Sequence, residues 1–273
     1  MAPLITHVVV GERTCSQLRR FDSDPAVYGA FLLGSVLVDA NGFSDLDRRQ
    51  THFVGRLEDD GQSAFTQSCT NFLCQQDRVL QRPWAALNRI DQAFVAGYLC
   101  HLAADEIWKE MGWKMLQALG LKSLKEMPVP GVVLLTVYDV LSHQVCADWS
   151  AVECALNSAA IPEVMTHVPY SVFQRVWEMI KPHVLAGGAA EAYFDLLDRM
   201  GTPAAEIREI RRQHEVCWDE AVAFIDDMGG IELYLTAAVE RAVYVLPQPW
   251  TNSIQQEIPF SPCYPCNPRE SVS

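Results

Sequence analysis

The sequence has few basic residues for its length. It carries 21 Lys and Arg against 34 Asp and Glu, which gives a net charge of −13 at pH 7. A protein that binds nucleic acid or an anionic membrane needs a surplus of Lys and Arg to neutralise phosphates. The shortage therefore argues against a nucleic-acid partner and against stable membrane association. A phosphorylated small molecule stays open, because a metal ion supplies local positive charge whatever the net charge.

Long apolar runs are also missing. No segment reaches the roughly 18 uninterrupted apolar residues expected of a membrane span. Residues 1–10 are too short an apolar run for a secretory signal, and the charged residues Glu12 and Arg13 follow at once. The nine cysteines are scattered and odd in number, which is typical of free thiols in a reducing compartment. These features predict a cytoplasmic protein.

Alternating strand patterns are nearly absent, and helical periodicity dominates. The run at residues 129–140 is β-branched enough for a strand, but it has no partner strand, so we expect a buried helix there. The turn signals between periodic segments predict helices over residues 4–20, 25–38, 62–81, 85–119, 133–158, 169–184, 188–200, 203–228 and 230–245. The sequence thus predicts an all-α fold.

The chain divides into one large domain and a tail. Residues 1–246 are expected to form a single all-α metal-binding domain, since no change in composition separates two domains. Residues 247–273 are rich in Pro, Ser, Asn and Gln and are expected to form a Pro-rich C-terminal tail. The tail holds a Cys-x-x-Cys motif, Cys263 to Cys266. A motif of this kind can bind zinc or act in redox chemistry, but no second ligand pair accompanies it.

The segment from Gly97 to Trp108 carries the strongest chemical signal. His101 and Asp105 lie four residues apart in a helix-forming run, so both project from one face. The surrounding residues are apolar, which places this face against the core. A buried Asp needs a partner, and a metal ion is a strong one. The alternative is a hydrogen-bonded pair within one helix.

Two earlier segments add residues of the same kind. His7 lies on an otherwise apolar helix that starts near Pro3. Asp39 follows an apolar run, and His52 stands in the sequence Thr-His-Phe. Each has a structural alternative, as a core histidine, a helix-end carboxylate and a loop histidine, respectively.

These segments together resemble the zinc-dependent phospholipase C family, in its short intracellular branch. The resemblance covers roughly residues 3–120 and rests on order, spacing and these motifs: Thr6-His7, Gly34-Ser35 with Asp39, Thr51-His52-Phe53, and Gly97-Tyr98 with His101, Asp105 and Trp108. It implies an all-α helical bundle of that type. It also implies one ion held by His52, His101 and Asp105 with Asp39 beside it, and a second held with help from His7 and a bridging Asp105.

The chain departs from the secreted phospholipases at their third metal site. Those enzymes carry a histidine shortly after the counterpart of Asp105, where this chain has Met111. They also carry a His-x-x-x-Glu pair, and no histidine here has Glu at the fourth position. His7 lies too close to Met1 for the amino terminus to be a ligand as in the secreted enzymes. We therefore expect the third site to be absent or rebuilt, and the second to be incomplete.

One histidine late in the chain, His214, is a candidate for a replacement ligand. His214 lies on a charged helix, so a solvent-exposed surface histidine is the preferred interpretation. We expect its loss to leave the metal content unchanged.

The resemblance, together with the missing third site, implies a metal-dependent hydrolase acting on a soluble phosphoester or related small polar substrate. Asp39 is the candidate for orienting or deprotonating the activated water, although it could instead be a further ligand. Imidazole and carboxylate ligands suit zinc, and they also suit iron and manganese. The alternatives are a non-hydrolytic metalloenzyme of the same fold, with oxygen-dependent or lyase chemistry, and a helical binding protein whose metal is structural. The substrate and the oligomeric state are not defined by the sequence.

Overall fold

A computed structural model describes residues 3–22, 24–54, 67–123 and 126–246, whose regular elements are all helices joined by turns and loops. These residues contain no strand, only one isolated bridge between Leu80 and Met165. The α-helices of this part are α1 (Leu4–Leu18), α2 (Pro25–Leu37), α3 (Arg48–His52), α4 (Ser68–Val79), α5 (Arg89–Leu119), α6 (Gly131–Gln144), α7 (Trp149–Ser158), α8 (Tyr170–Leu185), α9 (Ala190–Arg199), α10 (Ala204–Asp227) and α11 (Gly230–Val245). Two 3₁₀ helices cover Val38–Phe43 and Trp84–Ala86. The prediction of an all-α fold is confirmed.

Helix α5 is the long central element that the sequence predicted. It runs for 31 residues. It begins where the Asn88 side chain accepts a hydrogen bond from the Asp91 N–H at 2.9 Å. It ends at Gly120, whose φ of 68° is a left-handed cap that favours glycine. Its middle third is buried, and it packs mainly against α2 and α11.

Helices α2 and α5 approach each other closely at two glycines. A Cβ added at Gly97 would collide with the carbonyl oxygen of Phe31, and one at Gly34 would collide with that of Phe94. Only residues without a side chain allow the two backbones to lie so near. The contact sets the height of α2, and therefore of the residues that follow it, against the middle of α5.

One predicted helix is wrong. Residues 133–158 form two helices, α6 and α7, rather than one. The break lies at residues 145–148, where the Asp148 side chain accepts a hydrogen bond from the Ala151 N–H at 3.0 Å and caps α7. An Asp at this position competes with the helix by bonding its own backbone. The prediction also passed over α3 and both 3₁₀ helices, which are too short to show a period.

Residues 129–140 have a composition that would also suit a strand. They lie largely in α6, so the helical prediction is confirmed. The predicted helix over 62–81 begins outside the described residues, and α4 covers the rest of it. The Pro-rich tail over residues 247–273 and its Cys-x-x-Cys motif also lie outside the described residues.

One segment is long and apolar enough to meet the criteria for a membrane-spanning helix. Pro25–Phe43 passes a test of length and mean hydropathy, contrary to the expectation from uninterrupted apolar runs. However, 72% of its most apolar window is buried inside the protein. Core helices of folded domains pass the same test. Most of this segment is α2, which packs against the central helix α5.

Candidate metal centre

Five side chains from four elements meet in the core. His7 comes from α1, Asp39 from the 3₁₀ helix after α2, His52 from the last position of α3, and His101 and Asp105 from α5. Each is at most 1% exposed. They form two overlapping groups, in each of which the ligand atoms lie within 4.8 Å of one another: His7 with His101 and Asp105, and Asp39 with His52 and His101. The structure thus brings together all five residues proposed from the sequence.

The nitrogen and oxygen atoms of the centre lie close together, mostly beyond hydrogen-bond distance. His52 Nε2 lies 3.2 Å from Asp39 Oδ1 and 3.5 Å from Asp105 Oδ2. His7 Nε2 lies 3.7 Å from Asp105 Oδ1. His101 Nε2 lies 3.9 Å from Asp39 Oδ1, and its ring stacks on that of His7 at 3.8 Å between centroids. Which of the five would share an ion stays a prediction.

Six buried atoms of this cluster make no hydrogen bond within the described part of the chain. They are His7 Nδ1 and Nε2, His52 Nε2, His101 Nε2, Asp39 Oδ2 and Asp105 Oδ1. A buried polar atom without a partner costs about 1–3 kcal/mol, and more if it is charged. Native proteins satisfy nearly all such atoms. Five residues that concentrate six of them fit a site for a cation.

Outer contacts orient two of the imidazoles. His101 Nδ1 lies 2.8 Å from the carbonyl oxygen of Ser35. Because a carbonyl only accepts, Nδ1 carries the proton, and in the neutral ring Nε2 is left with a lone pair directed at the centre. His52 Nδ1 lies 2.8 Å from Thr51 Oγ1, and the Tyr98 hydroxyl donates to the Thr51 carbonyl. Outer partners of this kind are typical of metal-binding histidines.

The protonation states favour cation binding. Burial, followed by the neighbouring His7, lowers the pKa of His101 to about 3, and burial also lowers the pKa of His7. Burial alone would raise the pKa of Asp39, but His101 and His52 outweigh it and hold that pKa below its usual range. Burial opposes the same shift at Asp105, where Lys109 leads the groups that lower the pKa. Neutral imidazoles and ionised carboxylates are the forms that bind metal.

Two cationic side chains at the centre were not predicted from the sequence. Arg48 Nη2 lies 2.6 Å from Asp105 Oδ2, and Lys109 Nζ lies 3.4 Å from the same oxygen. Lys109 could have been found, because it follows Asp105 by four residues on one helix face. Arg48 could not, because it lies 57 residues away in the chain and reaches the site only through the position of α3.

The interpretation of His214 as an exposed surface residue is wrong. It is 5% exposed, and its ring lies among those of Tyr193, Phe194 and Trp218, with centroids 6.2, 5.2 and 6.0 Å away. The charged residues around it in sequence occupy the other faces of α10, so the charge pattern alone was misleading. His214 belongs to neither group of potential ligands in the described part of the chain.

Comparison with known proteins adds no relative. No protein-family model, no curated protein and no solved structure matches the chain.

Proposed function

We propose that this protein is a metal-dependent hydrolase that acts on a soluble phosphoester or a related small polar substrate in the cytoplasm. The observation that supports it most is the convergence of six buried, unpartnered nitrogen and oxygen atoms from His7, Asp39, His52, His101 and Asp105. Unpartnered buried atoms also occur elsewhere, for example at His214, but within the described residues only these five residues form groups of three or more potential ligands.

The five residues fit one or two divalent ions. His7, His101 and Asp105 form one group of potential ligands, and Asp39, His52 and His101 form the other. A divalent ion held there would supply Lewis acidity toward a phosphoryl oxygen and would lower the pKa of a bound water. The outer hydrogen bond from His101 to Ser35 fixes the imidazole in the tautomer that ligation requires.

Asp39 is the residue that we propose orients the attacking water. Its Oδ1 faces His52 and His101, whereas its buried Oδ2 makes no hydrogen bond within the described residues. A pKa held below the usual range makes Asp39 a weak base but keeps it ionised as a hydrogen-bond acceptor. Orientation of the water, rather than removal of its proton, is therefore the role that its electrostatics favour.

Zinc is the ion that we propose first, with iron or manganese as alternatives. The five residues contain imidazole and carboxylate groups and no thiolate, and all three metals accept that set. We also propose that the bundle is of the zinc-dependent phospholipase C type, on the strength of the motifs around His7, Asp39, His52 and His101. Iron with oxygen-dependent turnover would instead indicate the non-hydrolytic alternative.

The test starts with metal analysis of protein purified without added metal. The preparation is then assayed against 4-nitrophenyl phosphate, bis(4-nitrophenyl) phosphate and phosphatidylcholine vesicles, before and after chelation. We expect bound zinc, hydrolysis of a soluble ester that chelation abolishes and zinc restores, and little or no hydrolysis of vesicles. Metal-free protein with no zinc affinity contradicts the proposal. Rapid hydrolysis of vesicle lipid contradicts the choice of a soluble substrate.

A further inference from the structure

We infer that Arg48 and Lys109 form a binding edge for the phosphoryl group of a soluble substrate, beside the metal centre. The inference rests on the proposed metal-dependent function and names the part of the substrate that the protein recognises. Both side chains converge on Asp105 Oδ2, at 2.6 and 3.4 Å. They come from different elements, Arg48 from the first turn of α3 and Lys109 from the middle of α5.

The charge balance of the centre gives the first argument. The carboxylates of Asp39 and Asp105 lie in the centre, and the cationic side chains of Arg48 and Lys109 contact Asp105 Oδ2. Before any ion binds, two cationic side chains thus stand beside two carboxylates. Each divalent ion adds two positive charges in a place from which water is excluded, where unbalanced charge is costly. An anion bound next to the ion restores the balance.

The position of the two cations gives the second argument. The side chains of Arg48 and Lys109 are 30% and 19% exposed, whereas the Asp105 carboxylate between them is 1% exposed. The Lys109 ammonium nitrogen is itself buried, so the partly exposed side chain of Arg48 marks the side of the centre that solvent reaches. A substrate that approaches from that side meets Arg48 beside the atoms of the metal site.

The two oxygens of the Asp105 carboxylate have different contacts, and this gives the third argument. Asp105 Oδ2 contacts both Arg48 and Lys109. Asp105 Oδ1 is buried, faces His7 and makes no hydrogen bond within the described residues. One carboxylate can therefore hold an ion with one oxygen and anchor the cations with the other. Arg48 donates to Asp105 Oδ2 through Nη2.

The chemistry of the two side chains selects a phosphoryl group. A guanidinium presents several N–H donors in a planar fork that matches phosphate, and a lysine ammonium adds a point charge. The two together with an adjacent ion suit a group with several charged oxygens. A neutral substrate would leave the positive charge of the loaded centre uncompensated.

The experiment measures binding of inorganic phosphate to the zinc-loaded protein by isothermal titration calorimetry. The variants are Arg48→Met and Lys109→Met, each close in length to the natural side chain. The matched control is Arg49→Met, which removes an exposed arginine one position further along the same helix. Zinc content and the far-ultraviolet circular dichroism of each variant are measured in parallel.

We expect Arg48→Met to weaken phosphate binding at least about tenfold, Lys109→Met to weaken it less, and Arg49→Met to leave it unchanged. Arg48→Lys should recover part of the affinity. Zinc content should stay equal to that of the natural protein in all variants, because neither cation is a ligand.

Three results overturn the inference and leave the proposed hydrolase in place. They are unchanged phosphate affinity in zinc-loaded Arg48→Met and Lys109→Met, an equal loss in Arg49→Met, and loss of zinc from Arg48→Met with its helix content kept, which would make Arg48 a support for Asp105. Glycerol 3-phosphate and phosphatidylcholine vesicles serve as further probes. Tighter binding of vesicles than of the soluble ester overturns the choice of a soluble substrate. Failure of the natural protein to bind zinc defeats the proposed function itself and is visible before phosphate is added.

Discussion

A carboxylate that loses its water needs charged or hydrogen-bonded partners, and Asp39 and Asp105 are each about 1% exposed. Asp105 has Arg48 and Lys109 on one oxygen. Asp39 Oδ1 faces the imidazoles of His52 and His101, the second of which its low pKa holds neutral, and Asp39 Oδ2 makes no hydrogen bond within the described residues. Of the two buried carboxylates, Asp39 is therefore the one whose ionised form most needs a bound cation for its stabilisation.

The substitution His101→Ala should remove the metal and leave the helix intact. His101 Nε2 belongs to both groups of potential ligands, so its loss affects either ion. Metal content should fall to a small fraction of that of the natural protein, while circular dichroism at 222 nm changes little. His214→Ala is the matched control, since it removes another buried histidine that lies in neither group and should not alter the metal content. A His101→Ala protein with its full metal content would make His101 a core residue only.

The substitution Asp39→Asn should reduce turnover by about a hundredfold while lowering metal content far less. The amide keeps the size of the side chain and one oxygen, but it loses the charge that orients a water. The measurement is the rate on the best soluble phosphoester per bound metal ion. Parallel loss of metal and activity would show that Asp39 is a ligand and nothing more.

At the scale of elements, the centre depends on how closely α2 lies against α5. The glycine contact at Gly34 and Gly97 places the carbonyl of Ser35, which follows Gly34, within hydrogen-bond distance of His101 Nδ1. It also sets the start of the 3₁₀ helix that carries Asp39. The packing that holds the core together thus also aligns the site.

Gly97→Ala should destabilise the protein by about 1–3 kcal/mol, because the added Cβ meets backbone atoms of α2 that cannot move independently. The matched control is Gly112→Ala in the same helix, where a Cβ meets nothing within 4 Å. The control should gain up to about 1 kcal/mol from the better helix propensity of Ala. Urea denaturation measures both, and equal effects of the two substitutions would contradict the close contact. Metal affinity should fall in Gly97→Ala alone.

At the scale of the whole molecule, buried ionisable groups make the fold sensitive to acid. His101 has a folded pKa of about 3 against an ordinary value of 6.5, and the pKa of His7 is lowered as well. Between those values the unfolded chain binds protons that the folded chain does not, so stability falls as the pH falls. Asp39 and Asp105, whose pKa values are also lowered, add a further loss below their ordinary value of 3.8.

We therefore expect the metal-free protein to lose stability steadily from about pH 6.5 downward, at up to about 1.4 kcal/mol per pH unit for each of His7 and His101. Urea unfolding in the presence of a chelator, from pH 7.5 to pH 4.5, measures the slope. The double variant His7→Gln/His101→Gln should show a shallower dependence. A midpoint that does not change with pH would contradict neutral burial of these two histidines.

The sequence by itself determined the helical class, most helix boundaries and the five residues of the centre. Helical periods and turn residues are local, so they can be recognised in the sequence. The five residues were implied by motifs that resemble the zinc-dependent phospholipase C family. Short elements such as α3 could not be predicted, because five residues hold less than two helical turns. The break between α6 and α7 was missed because a continuous apolar pattern masked the capping Asp148.

Only the tertiary structure decided how the five residues are grouped, that His214 is buried, and that Arg48 lies at the centre. Each of these depends on contacts between residues far apart in the chain, and such contacts leave no periodic trace. Arg48 reaches Asp105 across 57 positions because the close packing of α2 on α5 directs the following 3₁₀ helix and α3 over the end of the buried cluster. Local propensity identifies the residues that can bind a metal, whereas the packing of distant helices decides which of their atoms meet.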